Sequence, residues 1–152
     1  MKRRQFVKAS AAGAALLLVG KGVQAGYGSP SEKEGKINTL VNKKNPTVLE
    51  KKHVPGVEAP KSVKKGQWFT VKVKVGFMTE HPSKPDHWID RVELQADGKK
   101  VSEIVNIAGG TTSPNAEFAI RLQKSGDIKL EAIANCNVHG TWLSEPSFVK
   151  VV

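Results

Sequence analysis

The chain has one cysteine, one tyrosine, two methionines and four histidines among 152 residues. Each scarcity excludes something. A lone cysteine, Cys136, cannot close an internal disulfide. Without two cysteines ahead of a histidine there is no attachment point for a c-type haem. Three tryptophans and one tyrosine, scattered among mixed charges, offer no stacking platform, so nucleic-acid binding is not expected. No apolar stretch is long enough for a comfortable membrane span; residues 9–20 come closest and are too few. No long segment shows helical periodicity either.

The apolar stretch has a different use. It follows Lys2-Arg3-Arg4-Gln5-Phe6-Val7-Lys8, which looks like the bacterial twin-arginine export motif, and it precedes the small-residue sequence Val23-Gln24-Ala25, suited to cleavage. Residues 1–25 are therefore read as a signal peptide, with a periplasmic destination and no stable membrane insertion after cleavage. The formal charge of +10 shrinks accordingly. Five of the 24 basic residues and none of the 14 acidic ones fall in this segment, which leaves 19 basic residues and a net charge of +5. A small anionic substrate or an acidic redox partner suits that sign.

Residues 26–46 are polar and rich in Gly, Ser, Lys and Asn, and read as a linker or loosely packed arm. From 47 to 152 the chain reads as one domain of short strands. Val71, Val73 and Val75 alternate with Thr70, Lys72 and Lys74, the pattern of a half-buried strand. Val92, Leu94 and Ala96 share one side of the next strand, and Asp97-Gly98 is a strong hairpin turn. A returning strand is expected over 101–107. Ala116, Phe118, Ile120 and Leu122 alternate, as do Ile128, Leu130, Ala132 and Ala134, and a last strand covers 148–152. Six or seven short strands punctuated by turns predict an all-β, antiparallel β-sandwich.

All four histidines and the cysteine fall at strand ends or in loops. His53 precedes the first sheet strands. His81 and His87 bracket a proline-rich loop, His81-Pro82-Ser83-Lys84-Pro85-Asp86-His87. Cys136 and His139 follow the strand ending near Ala134. Loops at one end of a sandwich can converge on one point. Imidazole nitrogen and thiolate sulfur are good ligands for first-row transition metals, so His53, His81, His87, Cys136 and His139 are the candidate metal ligands. A free thiol in an exported protein is open to oxidation, and metal binding would protect it.

Lys52-His53-Val54-Pro55, His81-Pro82 with His87 five residues on, and Cys136-Asn137 with His139-Gly140, in that order, resemble the iron-binding domain of superoxide reductases: neelaredoxin and the C-terminal domain of desulfoferrodoxin. The resemblance runs from about residue 50 to the C-terminus. It implies an immunoglobulin-like β-sandwich and one non-haem iron, cycling between ferrous and ferric states. It assigns His53, His81, His87 and His139 as equatorial ligands, Cys136 as the axial thiolate, and an open sixth position for superoxide. The implied reaction is one-electron reduction of superoxide to hydrogen peroxide. Rubredoxin-like proteins or a periplasmic cytochrome would be electron donors, and dimers or tetramers are known assemblies. No cysteine precedes Cys136, so the four-cysteine iron module of larger members is absent and the chain matches the one-iron type.

Lys52 stands where the family carries a catalytic lysine near the open site, where it would attract superoxide and order a proton-delivering water. One departure concerns its neighbour. Many members place a glutamate two residues before the first histidine ligand, whereas here Lys51 fills that place and Glu50 lies one residue further away. Glu50 reaching by a local bulge, Glu80, or water are the alternatives for the ferric sixth ligand. Trp68, Trp88 and Trp142 are read as core or site-lining packing, the last two shielding the thiolate side. Two other functions compete. A blue-copper carrier needs two histidines, a cysteine and usually an axial methionine. The only methionines are Met1 and Met78, and two histidines would be left over. A non-catalytic iron carrier would keep the ligands without turnover.

Overall fold

The computed structural model describes residues 35–152. Two β-sheets face each other across one apolar core. Among the described residues the strands are β1 (Pro55–Glu58), β2 (Ser62–Val63), β3 (Trp68–Val75), β4 (Ile89–Ala96), β5 (Lys99–Val105), β6 (Ala116–Arg121), β7 (Gly126–Cys136), β8 (Gly140–Leu143) and β9 (Ser147–Val151), preceded by a short helix, α1 (Val48–His53). One sheet has the order β1-β3-β6. The other has the order β2-β9-β7-β4-β5, with β8 also pairing with β7. Every strand pair is antiparallel except β2 with β9. The expected all-β antiparallel sandwich is the observed architecture.

Alternation explains the core. The odd positions of β3 and the even positions of β6 and β7 all point inward, because successive side chains of a strand face opposite ways. Val71, Val73, Phe118, Leu130, Ala132 and Ala134 thus meet between the sheets. In β4 the parity breaks. Val92 and Leu94 are buried, yet so is Ile89. A register shift between Ile89 and Arg91 in the pairing with β7 turns Ile89 back to the core and sets it opposite Cys136. The Asp97-Gly98 turn has positive φ at both residues, 49° and 75°, as a two-residue hairpin of matching twist requires.

Three features depart from the sequence expectation. First, α1 is a helix. Six residues are too few to show periodicity, but Thr47 and Glu50 form a reciprocal capping box at its start. Second, the described part of the 26–46 segment is docked. Asn38 pairs with β8: its N–H donates to the Thr141 carbonyl at 2.9 Å, and its carbonyl accepts from the Leu143 N–H at 2.9 Å. Third, Trp68 is not a core residue. It is 62% exposed and lies under the Arg121 guanidinium, 5.0 Å from the ring centre. The signal-peptide reading falls on residues 1–25, outside those described. Among the described residues no helix is long and apolar enough to cross a membrane.

Candidate metal centre

Three elements meet at one end of the sandwich. α1 brings Lys52 and His53, the loop between β3 and β4 brings His81 and His87, and the β7–β8 connection brings Cys136 and His139. Each segment is held by backbone bonds to its neighbours. The Thr79 N–H donates to the Lys51 carbonyl at 3.1 Å, and the His81 N–H donates to the Val75 carbonyl at 3.2 Å. Gly76 makes the approach of α1 possible. Its φ is +70°, and a Cβ there would sit 2.4 Å from the Lys52 carbonyl oxygen.

The four imidazoles form a square. Going round it, ring centres are 4.7 Å apart for His53 and His81, 4.7 Å for His81 and His87, 4.9 Å for His87 and His139, and 4.7 Å for His139 and His53. The diagonal from His53 to His87 is 6.1 Å. Neighbouring rings stand edge to face, and the diagonal pair is inclined by only 26°.

Hydrogen bonding decides which nitrogens face inward. His53 Nδ1 donates to the Leu49 carbonyl at 2.7 Å, and His81 Nδ1 to the Pro82 carbonyl at 2.7 Å. Both rings thereby keep Nε2 as a free lone pair, the usual outer-partner arrangement of ligand histidines. His81 Nε2 and His87 Nε2 are buried with no hydrogen-bond partner. Buried polar atoms are rarely left so. The donor atoms of His53, His87, Cys136 and His139 lie within 4.8 Å of one another. His81 stands outside that group and joins the site through its ring contacts with His53 and His87.

Cys136 closes one end of the cluster. Its Sγ lies 3.6 Å from His139 Nδ1 and accepts the His139 backbone N–H at 3.4 Å. The side chain is buried, and burial pushes the thiol up. Burial pushes His53 and His81 down to about 4, and pushes His87 down as well. Those three rings are therefore neutral at pH 7, the state that binds a metal.

The residues fit a first-row metal. Ligand nitrogens at right angles, each about 2.1 Å from an ion, would be roughly 3 Å apart. His53 Nε2 and His139 Nδ1 are 3.0 Å apart. Four nitrogens and one sulfur favour iron, copper or zinc over a hard oxygen-seeking cation.

Some residues of the site were not legible as such. Asn137 ties the two ligand loops together. Its Oδ1 accepts the Trp88 N–H at 2.9 Å, its Nδ2 donates to the Asp86 carbonyl at 2.9 Å, and its own N–H donates to the Trp88 carbonyl at 3.2 Å. Its place beside Cys136 was a signal, but its partners are set only by the fold. Gly109 packs under the histidine loop, where a Cβ would meet the Lys84 carbonyl oxygen at 2.2 Å and the Trp88 ring at 2.6 Å. Trp142 stacks on His53 at 5.2 Å and donates through Nε1 to the His139 carbonyl at 3.2 Å.

Lys52 is half-buried in the last turn of α1, and its charge bears on both His53 and His87. Lys84 adds a second cation acting on His87. Neither alternative carboxylate joins the cluster. Glu80 is exposed beside Lys74 and Phe77. Glu50 is buried, and its oxygens accept from the Val41 and Thr47 N–H groups at 2.7 and 2.6 Å.

Comparison with known proteins gives one consistent answer. Residues 45–145 match the desulfoferrodoxin family. A superoxide reductase of Thermococcus kodakarensis is 39% identical over 103 residues, covering 62% of this chain and 84% of the relative. A superoxide reductase of Pyrococcus furiosus is 33% identical over 112 residues, covering 62% and 86%. Among solved structures, the superoxide reductase (neelaredoxin) of Ignicoccus hospitalis superposes with a TM-score of 0.64 at 30% identity, covering 76% of this chain and 95% of that one. With the site's geometry, its fold and its extended sequence match in agreement, the chain belongs to the desulfoferrodoxin family.

Proposed function

We propose that this protein is a superoxide reductase whose single iron would be held by His53, His81, His87, His139 and Cys136. The carrying observation is the square of four imidazole rings, with the donor atoms of His53, His87 and His139 clustered together with a buried cysteine sulfur. When bound by these residues, iron would supply the one electron that, with two protons, converts superoxide to hydrogen peroxide, with re-reduction by a separate donor.

The chain's own groups prepare that chemistry. The Leu49 and Pro82 carbonyls hold the tautomers of His53 and His81. Trp142 and Asn137 fix the Cys136–His139 turn from two sides. His87 and His139 are half-buried, so the cluster meets solvent on their side. Lys52 attracts the superoxide anion there and orders the water that delivers a proton; Lys84 adds to the field. Electrostatic steering from a whole charged surface raises association rates by roughly 10- to 1000-fold.

The reading extends to place and partners. The Arg3-Arg4 motif with the apolar residues after it supports export of the folded, metal-loaded chain by the twin-arginine route to the periplasm. A rubredoxin-like protein or a periplasmic cytochrome would then be the electron donor, and an acidic surface on it would suit the basic chain.

Product stoichiometry tests the activity. Reduced, iron-loaded protein given superoxide should yield one hydrogen peroxide per superoxide consumed, with no oxygen released. One peroxide for every two superoxides, with oxygen evolved, would instead mean dismutation. A ferrous spectrum that survives excess superoxide would leave a non-catalytic iron carrier.

A further inference from the structure

Glu50 is the charged residue whose placement the reaction leaves unexplained. A carboxylate is buried here, at 5% exposure, three residues before the first candidate ligand. It is not among the side chains whose donor atoms cluster at the site. Both its oxygens are occupied, one by the Val41 N–H of the N-terminal arm and the other by the Thr47 N–H at the start of α1. These bonds, the Thr47 one foremost, hold its carboxyl down to about 2.

We propose that Glu50 is a positioning residue for the metal centre: by tying the arm to the first turn of α1, it fixes the Leu49 carbonyl that orients His53. The proposal rests on the iron reading above and deepens it. A six-residue helix is too short to hold its own shape in water, so its caps decide its geometry. At the N-terminus Thr47 Oγ1 accepts the Glu50 N–H at 3.2 Å while the Glu50 carboxylate accepts the Thr47 N–H. Leu49 lies inside that closed ring of bonds. Its carbonyl accepts His53 Nδ1–H at 2.7 Å, which sets both the tautomer and the ring plane. The arm is anchored independently, through Asn38 to Thr141 and Leu143 on β8. Trp142 of the same strand stacks on the His53 ring, with ring centres 5.2 Å apart. Arm, helix cap and β8 thus form one frame around His53, and Glu50 closes it. The carboxylate that lies nearest to His53 in sequence is thereby a fastener of the frame, each of its two oxygens already accepting a backbone N–H.

The test uses the full iron-loaded protein with three variants: Glu50→Ala, Glu50→Gln and Val41→Pro. The last removes the arm's N–H donor while leaving Glu50 intact. Two readouts are taken: the rate of iron loss to a chelator, and the paramagnetic resonance spectrum of the ferric protein. Outer partners of metal ligands typically contribute about 10- to 100-fold to metal affinity. Glu50→Ala should therefore lose iron about tenfold faster, with altered resonance anisotropy from a reoriented His53. Glu50→Gln, which keeps one acceptor, should be intermediate. Val41→Pro should be faster than wild type, and its combination with Glu50→Gln should be less than multiplicative.

Iron loss at the wild-type rate in all three would overturn the proposal. So would faster loss with an unchanged resonance spectrum, which would make Glu50 a stabiliser of the fold alone. A thiolate-to-iron band displaced in Glu50→Ala, with new affinity for azide, would make it a ligand and also overturn the proposal. If Glu50→Ala does not fold, Glu50→Gln and Val41→Pro decide the matter. Wild-type protein with iron bound but no thiolate band would count against the iron-thiolate reading itself, whatever the variants do.

Discussion

At the scale of single residues, the site divides labour between sulfur, nitrogen and charge. Cys136 is the only thiol in the chain and it is buried. A thiolate bound to ferric iron gives a visible charge-transfer band, so Cys136→Ser should abolish that colour while the fold persists; a retained band in the visible spectrum would refute the axial assignment. In the proposed function Lys52 acts through its charge. Its replacement in Lys52→Ala should slow association with superoxide by about fivefold at low ionic strength and flatten the salt dependence. Stopped-flow rates across a salt series check this, and unchanged rates would make Lys52 a bystander. The histidines and the cysteine were legible because they are rare and each sits at the end of an element or in a connection between elements. Asn137 was not. Asparagine is common in turns, and only the fold shows that its amide holds the Trp88 and Asp86 backbone.

At the scale of elements, α1 and the loop over 81–87 carry the site and are the least regular parts of the fold. Alternation made β3, β6 and β7 readable, since one face of each is buried. It could not reveal a six-residue helix, a two-residue parallel strand, or the parity break at Asp90. The Thr47 and Glu50 pair was the local sign of the helix, masked by the polar residues around it. Glu50 also makes the cap pH-sensitive. Its folded value, about 2, is below the ordinary 4.5. It therefore contributes stability above the unfolded value, and that contribution is lost as pH falls from about 4.5 toward 2. The stability gap between wild type and Glu50→Gln should be open at pH 6 and close over that acid range in denaturant titrations; a gap independent of pH would contradict the bonding seen. The 81–87 loop rests on Gly109. In Gly109→Ala the added methyl would meet the Lys84 carbonyl and the Trp88 ring. Such overpacking costs about 1–3 kcal/mol, read as a lower unfolding midpoint, and metal occupancy should fall with it. A variant as stable as wild type would mean that the loop yields freely.

At the scale of the molecule, the sandwich is a rigid end-plate on which three separate chain segments converge. The core between the sheets sets where β3 ends, where β4 begins and where β7 turns, and those three points fix His81, His87 and Cys136. The docked arm and β8 then close around His53. The fold class was legible from alternation and turns, because both are local. Convergence was suggested by rare ligand residues at strand ends and in loops, and the resemblance assigned each its place, since no spacing in the sequence states that residues 53 and 139 are neighbours. The central claim is that one iron is held by four imidazole nitrogens and one cysteine sulfur. X-ray absorption at the iron edge tests it most directly in the isolated, iron-loaded protein. The expected result is a single sulfur scatterer at about 2.3 Å with four nitrogens at about 2.1 Å, and loss of the sulfur shell in Cys136→Ser. An iron shell without sulfur, or one unchanged in that variant, would contradict the claim.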